Sequence, residues 1–429
     1  VNMKVLVLDL THGGDVIAME YLKRGCSVTA VDIYRTSAAI ATGLGGHGVR
    51  CFDSSPEEDF DLAVIPVHAP ARFLGGARPS RTITHHEAVG ELARFGVPTV
   101  EVTGVRGKTG TVQVLSHLLR AEYRKVLSLS SSGLRMLGNE DVLLQEKVSI
   151  TPATVLRLST EHHDHDIGVF EISLGGTGLG QVSVITGLQD DYLIAAGTKR
   201  AFHGKAQMAM SARGSLVIPK AEEGTWVPLA VNCRNLITFG PGGDVETVVR
   251  PGALGGAANL TVRSGDDETD VALSGGYLAS AYALPFSCAL ATAKALGLDP
   301  LRMAGRLSAF LGAPGRGEVR TDDLGILVRE RNPGVSAASL EFVLDALVKE
   351  HDCCDVGLVL DPVNRKVCEK LDLARIADVM DRHPQITGRY MLPSGKDLAR
   401  ANGFTVIRDV EEVRPLHPTV LWATKEGYL

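Results

Sequence analysis

The 429-residue sequence predicts an α/β protein in three parts, with open parallel sheets at both ends and a strand–glycine turn–helix unit between them. Three observations carry that expectation. Apolar strand segments alternate with amphipathic helical segments in the first hundred residues and again beyond residue 313. Residues 99–111, TVEVTGVRGKTGT, place an apolar strand, a glycine turn and a Lys-Thr pair in succession. An apolar fraction of 45% with 47 glycines suits close-packed α/β units joined by tight turns.

Residues 1–98 read as a Rossmann-like unit. KVLVLDL is a strand, THGG a loop and Asp15 to Lys23 a helix, followed by the strands SVTAVD and FDLAVIPV. A glycine loop with Asp32 about twenty residues on has the outline of a nicotinamide site, but LTHGG lacks the Gly-x-Gly-x-x-Gly spacing. A degenerate unit that binds part of a substrate fits better.

Residues 99–312 form the central unit. Thr99 to Val102 alternate as a strand, and Val112, Leu115, Leu118 and Leu119 recur at helical spacing. A glycine turn there aims backbone N–H groups and the positive helix end at an anion. Lys108 can reach terminal phosphate oxygens, and the Thr109 hydroxyl can hold Mg²⁺, with Gly104, Arg106, Gly107 and Gly110 completing the loop. The strands IGVFEIS, QVSVITG and SLVIP follow, then short strands over 220–275 and helices over 286–298 and 301–312. Residues 313–429 open on APGRGE, a hinge. They continue as the strand LGILVRE, a helix near 336–350, CCDVGLVLD, a helix near 372–382, and short strands at FTVIRD and TVLWAT.

The net charge of −6 is scattered, which argues against nucleic acid. Seven cysteines without paired spacing fit a reduced cytosol. The first residues, VNMKVLVLDL, lack a signal-peptide layout, and no apolar run approaches membrane-spanning length. A soluble cytoplasmic protein, monomeric or weakly self-associating, is expected.

The shortened loop Thr103-Gly104-x-x-Gly107-Lys108-Thr109 resembles the ATP loop of the Mur ligase and folylpolyglutamate synthase superfamily, with Arg106 where Asn is usual. That resemblance implies a three-domain Mur-ligase-like architecture: a Rossmann-like N-terminal domain, a P-loop central ATPase domain and a Rossmann-like C-terminal domain. It implies ATP and Mg²⁺ as cofactors, and activation of a carboxylate as an acyl phosphate. Carried over to this chain, Glu171 in Glu-Ile-Ser would bind Mg²⁺. Asp191, in Asp190-Asp191, stands where the family has an Asp-His pair, and Lys205, in AFHGKAQ, would hold a second Mg²⁺ as a carbamate. Arg316 in GAPGRGE resembles the inter-domain arginine that reaches the nucleotide, and Glu330 before Asn332-Pro333 the acid that holds the ribose. The helix that supplies an adenine-binding Asn in the family has none here, so the base pocket differs.

LDLTHGG, SITPA, EISLGGTGLGQVSVITGLQDDY, GKAQM and LGAPGRGE further resemble the methanogen branch of the superfamily that completes the nickel tetrapyrrole coenzyme F-430. That likeness implies a nickel-tetrapyrrole substrate whose propionate is activated and whose ring carbon then attacks. The run Gly175-Gly176-Thr177-Gly178-x-Gly180 would leave room for a wide flat ligand, or is a flexible surface loop. Candidate tetrapyrrole contacts are His12 with Gly13 and Gly14, the Thr151-Pro152 turn and the C-terminal domain. Two alternatives stay open: a Mur-like ligase joining an acid to an amino acid, and a nickel carrier using His162, His163 and His165, which otherwise make a polar surface loop.

Overall fold

Val5, Leu6, Val7 and Leu8 are wholly buried, so the first strand is sheathed on both faces, as parallel strands are. In the computed structural model, which describes residues 2–161, 163–189, 191–332, 334–363 and 370–426, the chain divides into two compact units. One comprises residues 1–243 with 291–298, the other residues 244–290 with 299–429.

The first unit holds two sheets. Strands β1 (Lys4–Leu8), β2 (Ser27–Val31), β3 (Arg50–Phe52), β4 (Asp59–Ile65) and β5 (Arg78–Thr84) make a wholly parallel sheet in the order β3-β2-β1-β4-β5. Helices α1 (Gly14–Lys23), α2 (Ala38–Gly46) and α3 (His85–Leu92) connect or follow them. A capping box, with the Thr84 hydroxyl accepting from Glu87 N and the Glu87 carboxylate from Thr84 N, starts α3.

The larger sheet centres on β6 (Thr99–Thr103), which leads through the glycine turn into α4 (Lys108–Leu119). Then come β7 (Val126–Ser130), β8 (Gly133–Leu137), β9 (Asp141–Gln145), α5 (Pro152–Thr160), β10 (Ile167–Glu171), β11 (Val182–Ile185) and α6 (Ala201–Ser211). Strands Asn235–Phe239 and Ser215–Pro219 open the order, followed by β11, β6, β10, β7, β8 and β9. All pairs are parallel except β7–β8 and β8–β9. That antiparallel extension was not read in the sequence, because β9 is exposed throughout and carries no alternating pattern. Helices α1 and α3 pack on α5, joining the two sheets through a common apolar core.

The second unit holds a three-stranded antiparallel sheet, Glu246–Arg250, Ala258–Ser264 and Asp267–Leu273. Beside it in sequence is a six-stranded sheet ordered Glu318–Asp322, Gly325–Arg331, Thr419–Thr424, Val356–Asp361, Ile386–Met391 and Thr405–Val406. Only its first pair is antiparallel. Helix Leu373–Arg382 buries Ile376, Val379 and Met380, one face at three- and four-residue spacing, and Asp372 caps it by accepting from Arg375 N at 3.1 Å.

The helix expected over 301–312 is shorter. Asp299 starts it at Pro300, it runs to Ala304, and from Gly305 to Ala309 it tightens to 3₁₀ geometry. Glycine is a poor helix former, which is the physical reason for the break. Among the described residues no helix is long and apolar enough to cross a membrane. The six cysteines among them are free thiols, while Cys368 lies outside the described residues.

Candidate active site

Sequence dictates the loop between β6 and α4 through two glycines. Gly104 takes φ 145°, and a side chain there would collide with the Thr186 hydroxyl. Gly107 takes φ 80° as the residue before α4. Val105 N donates to Gly187 O at 2.9 Å, and the Thr186 hydroxyl donates to Arg106 O, so the end of β11 clamps the turn. The first turn of α4, Lys108 to Gly110, therefore presents its N–H groups at the carboxyl end of a central strand.

Lys108 Nζ curls back over this turn, donating to Gly104 O at 3.1 Å and Val105 O at 3.4 Å. The Thr109 hydroxyl points the other way and donates to Glu171 Oε2 at 2.9 Å. Glu171 ends β10, next to β6 in the sheet, and the same oxygen accepts Ser131 N at 3.0 Å. Ser131 Oγ lies 2.9 Å from Thr109 Oγ1. The oxygens of buried Thr109 and Glu171 and of partly buried Ser131 thus gather together. An all-oxygen donor set of this kind fits a hard cation such as Mg²⁺. Ser131 was missed in the sequence, since one serine within SLSSSG carries no signal until Glu171 is folded beside it.

Lys205, on α6, is 1% exposed, with Nζ 5.6 Å over the Tyr192 ring. Burial, reinforced by the Lys108 charge and opposed by Asp191, brings its ammonium down to about 7. A half-neutral amine at physiological pH is a nucleophile, as carbamate formation requires. Asp191 is engaged locally: Oδ2 accepts Arg200 Nε at 2.8 Å and Oδ1 accepts Phe202 N at 3.0 Å, capping α6. Asp190 lies outside the described residues.

The depressed Lys205 value carries a stability consequence. Between about 7 and the ordinary 10.5 the unfolded chain holds a proton that the folded chain has released. Stability is therefore expected to rise with pH across that window, with a slope approaching about 1.4 kcal/mol per unit. Lys205→Met should flatten the rise in denaturant titrations at pH 7, 8 and 9; an unchanged slope would mean the amine titrates normally.

The second unit carries its own cluster. Glu330 is buried on strand Gly325–Arg331, its Oε1 accepting Gly317 N at 2.6 Å and its Oε2 accepting Asn332 Nδ2 at 2.9 Å. Burial pushes its carboxyl up to about 7, against the pull of the Arg316 guanidinium and those two donors. Arg316 sits in the turn before this sheet, where its carbonyl accepts the Tyr282 hydroxyl at 3.0 Å. Pro333, in the Asn-Pro turn, lies outside the described residues.

The expectation for the glycine run is corrected by packing. The glycine run after Glu171 does not open space. A side chain on Gly175 would meet Gly204 O at 2.7 Å, and one on Gly176 would meet Met208 Cε at 2.5 Å. The run is pressed against α6, and buried Glu101 on β6 pins it by accepting Thr177 N at 3.0 Å and Gly178 N at 3.2 Å. Nor is it a loose surface loop, for the same reason. In the histidine stretch, His163 Nε2 pairs with Glu161 at 3.0 Å and His165 Nδ1 with His163 O at 2.6 Å, which is a polar loop held by its own neighbours. His162 lies outside the described residues.

No family model matches the chain. It is 29% identical over 412 residues to the coenzyme F(430) synthetase of Methanosarcina acetivorans, covering 88% of this chain and 87% of that protein. It is 27% identical over 230 residues to the coenzyme F(430) synthetase of Methanocaldococcus jannaschii, covering 50% of this chain and 51% of that one. Its fold matches the UDP-N-acetylmuramoylalanyl-D-glutamyl-2,6-diaminopimelate–D-alanyl-D-alanyl ligase of Acinetobacter baumannii with a TM-score of 0.56, at 14% identity over 94% of this chain and 87% of that one. A Mur ligase fold, joined to sequence likeness along most of its length, marks this chain as an ATP-dependent ligase similar to the coenzyme F(430) synthetases and to the Mur ligases.

Proposed function

We propose that this ligase activates a propionate carboxylate of a nickel-seco-tetrapyrrole and closes a carbocyclic ring to give coenzyme F-430, releasing ADP and phosphate. The observation that carries the reading is the likeness to the Methanosarcina acetivorans synthetase over 88% of the chain. The reading assigns residues 1–98 to substrate binding, 99–312 to ATP and 313–429 to the C-terminal α/β domain.

The chemistry asks the chain to bring two anions together. A propionate oxygen forms a bond to the γ-phosphorus as the bond to ADP breaks. A macrocycle carbon then attacks the acyl carbon, loses its proton, and phosphate leaves. The helix end at Gly107 to Gly110 would hold the phosphates, and Lys108 would leave the Gly104 and Val105 carbonyls for a phosphate oxygen. Thr109 and Glu171 would hold one Mg²⁺, and Asp191 with carbamylated Lys205 a second. When bound, the ions supply positive charge that offsets repulsion between carboxylate and phosphate. Arg316 and Glu330 are assigned to the nucleotide by resemblance alone.

Anaerobic incubation with ATP, Mg²⁺ and the nickel-seco-precursor tests the reading. A product lighter than the substrate by one water, formed in step with ADP, is the expected result. ADP release that needs an added amino acid, with the macrocycle unchanged in mass, would return the chain to acid–amino-acid ligation.

A further inference from the structure

In the five-stranded sheet, β1 leads into its neighbour β2 on one side while β4 leads to β5 on the other, so the chain direction reverses between β1 and β4. Open α/β sheets bind ligands in the crevice beyond the strand ends at such a reversal. Here the residues that follow β1 and β4 bring Asp9, His12 and His68 together. Among the described residues they are the one group of three or more His, Cys, Asp or Glu side chains whose donor atoms lie within 4.8 Å of one another.

The geometry is specific. Asp9 has φ 73°, a left-handed conformation that aspartate tolerates better than most residues and that a plain strand end does not call for. Its Oδ2 lies 2.7 Å from His12 Nδ1 and 3.3 Å from His68 Nε2. His68 Nε2 is shielded from solvent and lacks the alignment of a hydrogen bond. The two imidazole rings meet edge to face at 4.9 Å, and Tyr34 lies parallel to His68 at 6.5 Å. Bonds of about 2.0–2.2 Å to a shared cation put neighbouring donors roughly 2.8–3.6 Å apart. The 3.3 Å separation of His68 from Asp9 falls in that range, and the 2.7 Å contact of His12 with Asp9, a hydrogen bond, would have to lengthen slightly.

We propose that Asp9, His12 and His68 form a binding site for a free divalent transition-metal cation of the zinc or nickel class, separate from the oxygen site at Thr109 and Glu171. Two imidazoles and one carboxylate select such an ion over Mg²⁺, which prefers oxygen throughout. A metal already held in a planar macrocycle has only axial positions left and could use one of these donors rather than three. The site therefore stands whether or not the tetrapyrrole reading does.

The test is titration of the metal-free full chain with Co²⁺, followed by its ligand-field absorption in millimolar Mg²⁺. One equivalent is expected to bind and to raise the thermal midpoint. His12→Ala and His68→Ala should each weaken binding by about ten-fold or more and abolish the thermal shift. His68→Gln, which keeps most of the side-chain volume, should do the same while the metal-free midpoint holds, which separates ligand loss from misfolding. A double variant in the other histidine stretch, His163→Ala with His165→Ala, should bind as the parent does. Absence of stoichiometric binding overturns the proposal, as does binding that survives both single variants or disappears with the double one.

Discussion

Lys108→Ala is expected to lower ATP turnover by at least about 10²–10³-fold, with little change in stability. Removing one preorganised charge-stabilising group from a phosphoryl- or acyl-transfer site has effects of that order. The fold should hold, because Lys108 is half-buried and donates hydrogen bonds to carbonyls of its own loop. Steady-state ADP release and a thermal melt, measured on one preparation, check both halves. Turnover within a few-fold of the parent would remove Lys108 from the phosphate site, and with it the premise that this loop holds ATP. A nickel carrier relying on histidines would keep its function after the same change.

Glu171→Gln and Glu171→Ala should separate two contributions of one carboxylate. The glutamine variant keeps the volume but loses the charge. Turnover should fall by about 10² or more, and the Mg²⁺ concentration needed for half-activity should rise. The alanine variant also leaves the Thr109 hydroxyl and Ser131 N without their shared acceptor in a buried place. That loss should lower unfolding free energy by about 1–3 kcal/mol. Mg²⁺-titrated turnover and denaturant unfolding of both variants measure the two effects. An unchanged Mg²⁺ requirement in both would move the metal to other oxygens.

The central loop was legible because its residues are contiguous. Gly104, Gly107, Lys108 and Thr109 sit in one six-residue stretch, and each glycine takes the left-handed conformation that its place in the turn requires. Glu171 was legible from its place at a strand end. Ser131 was not, because its part depends on β7 lying beside β10. The glycine run after Glu171 was misread as open space, since a sequence shows that side chains are missing and not what fills their place. The pairing of Asp9 and His12 with His68 is not legible, because His68 is 59 residues from Asp9 and nothing in either segment names the other. Local pattern reveals contiguous motifs and the faces of helices. Convergence across a parallel sheet is decided by strand order, which single segments do not encode.

The hydrogen bond between Thr109 and Glu171 joins residues 62 apart. It forms across β6 and β10, whose pairing requires β7 to β9 and α5 to be traversed first. Such closures lose chain entropy before any contact rewards them, so parallel sheets of this kind assemble slowly. Ligation competence should thus be among the last properties to appear on refolding, after secondary structure has formed. A chain halted earlier would expose the apolar strands Val126–Ser130 and Ile167–Glu171 to other chains, so yield on refolding should fall steeply with protein concentration.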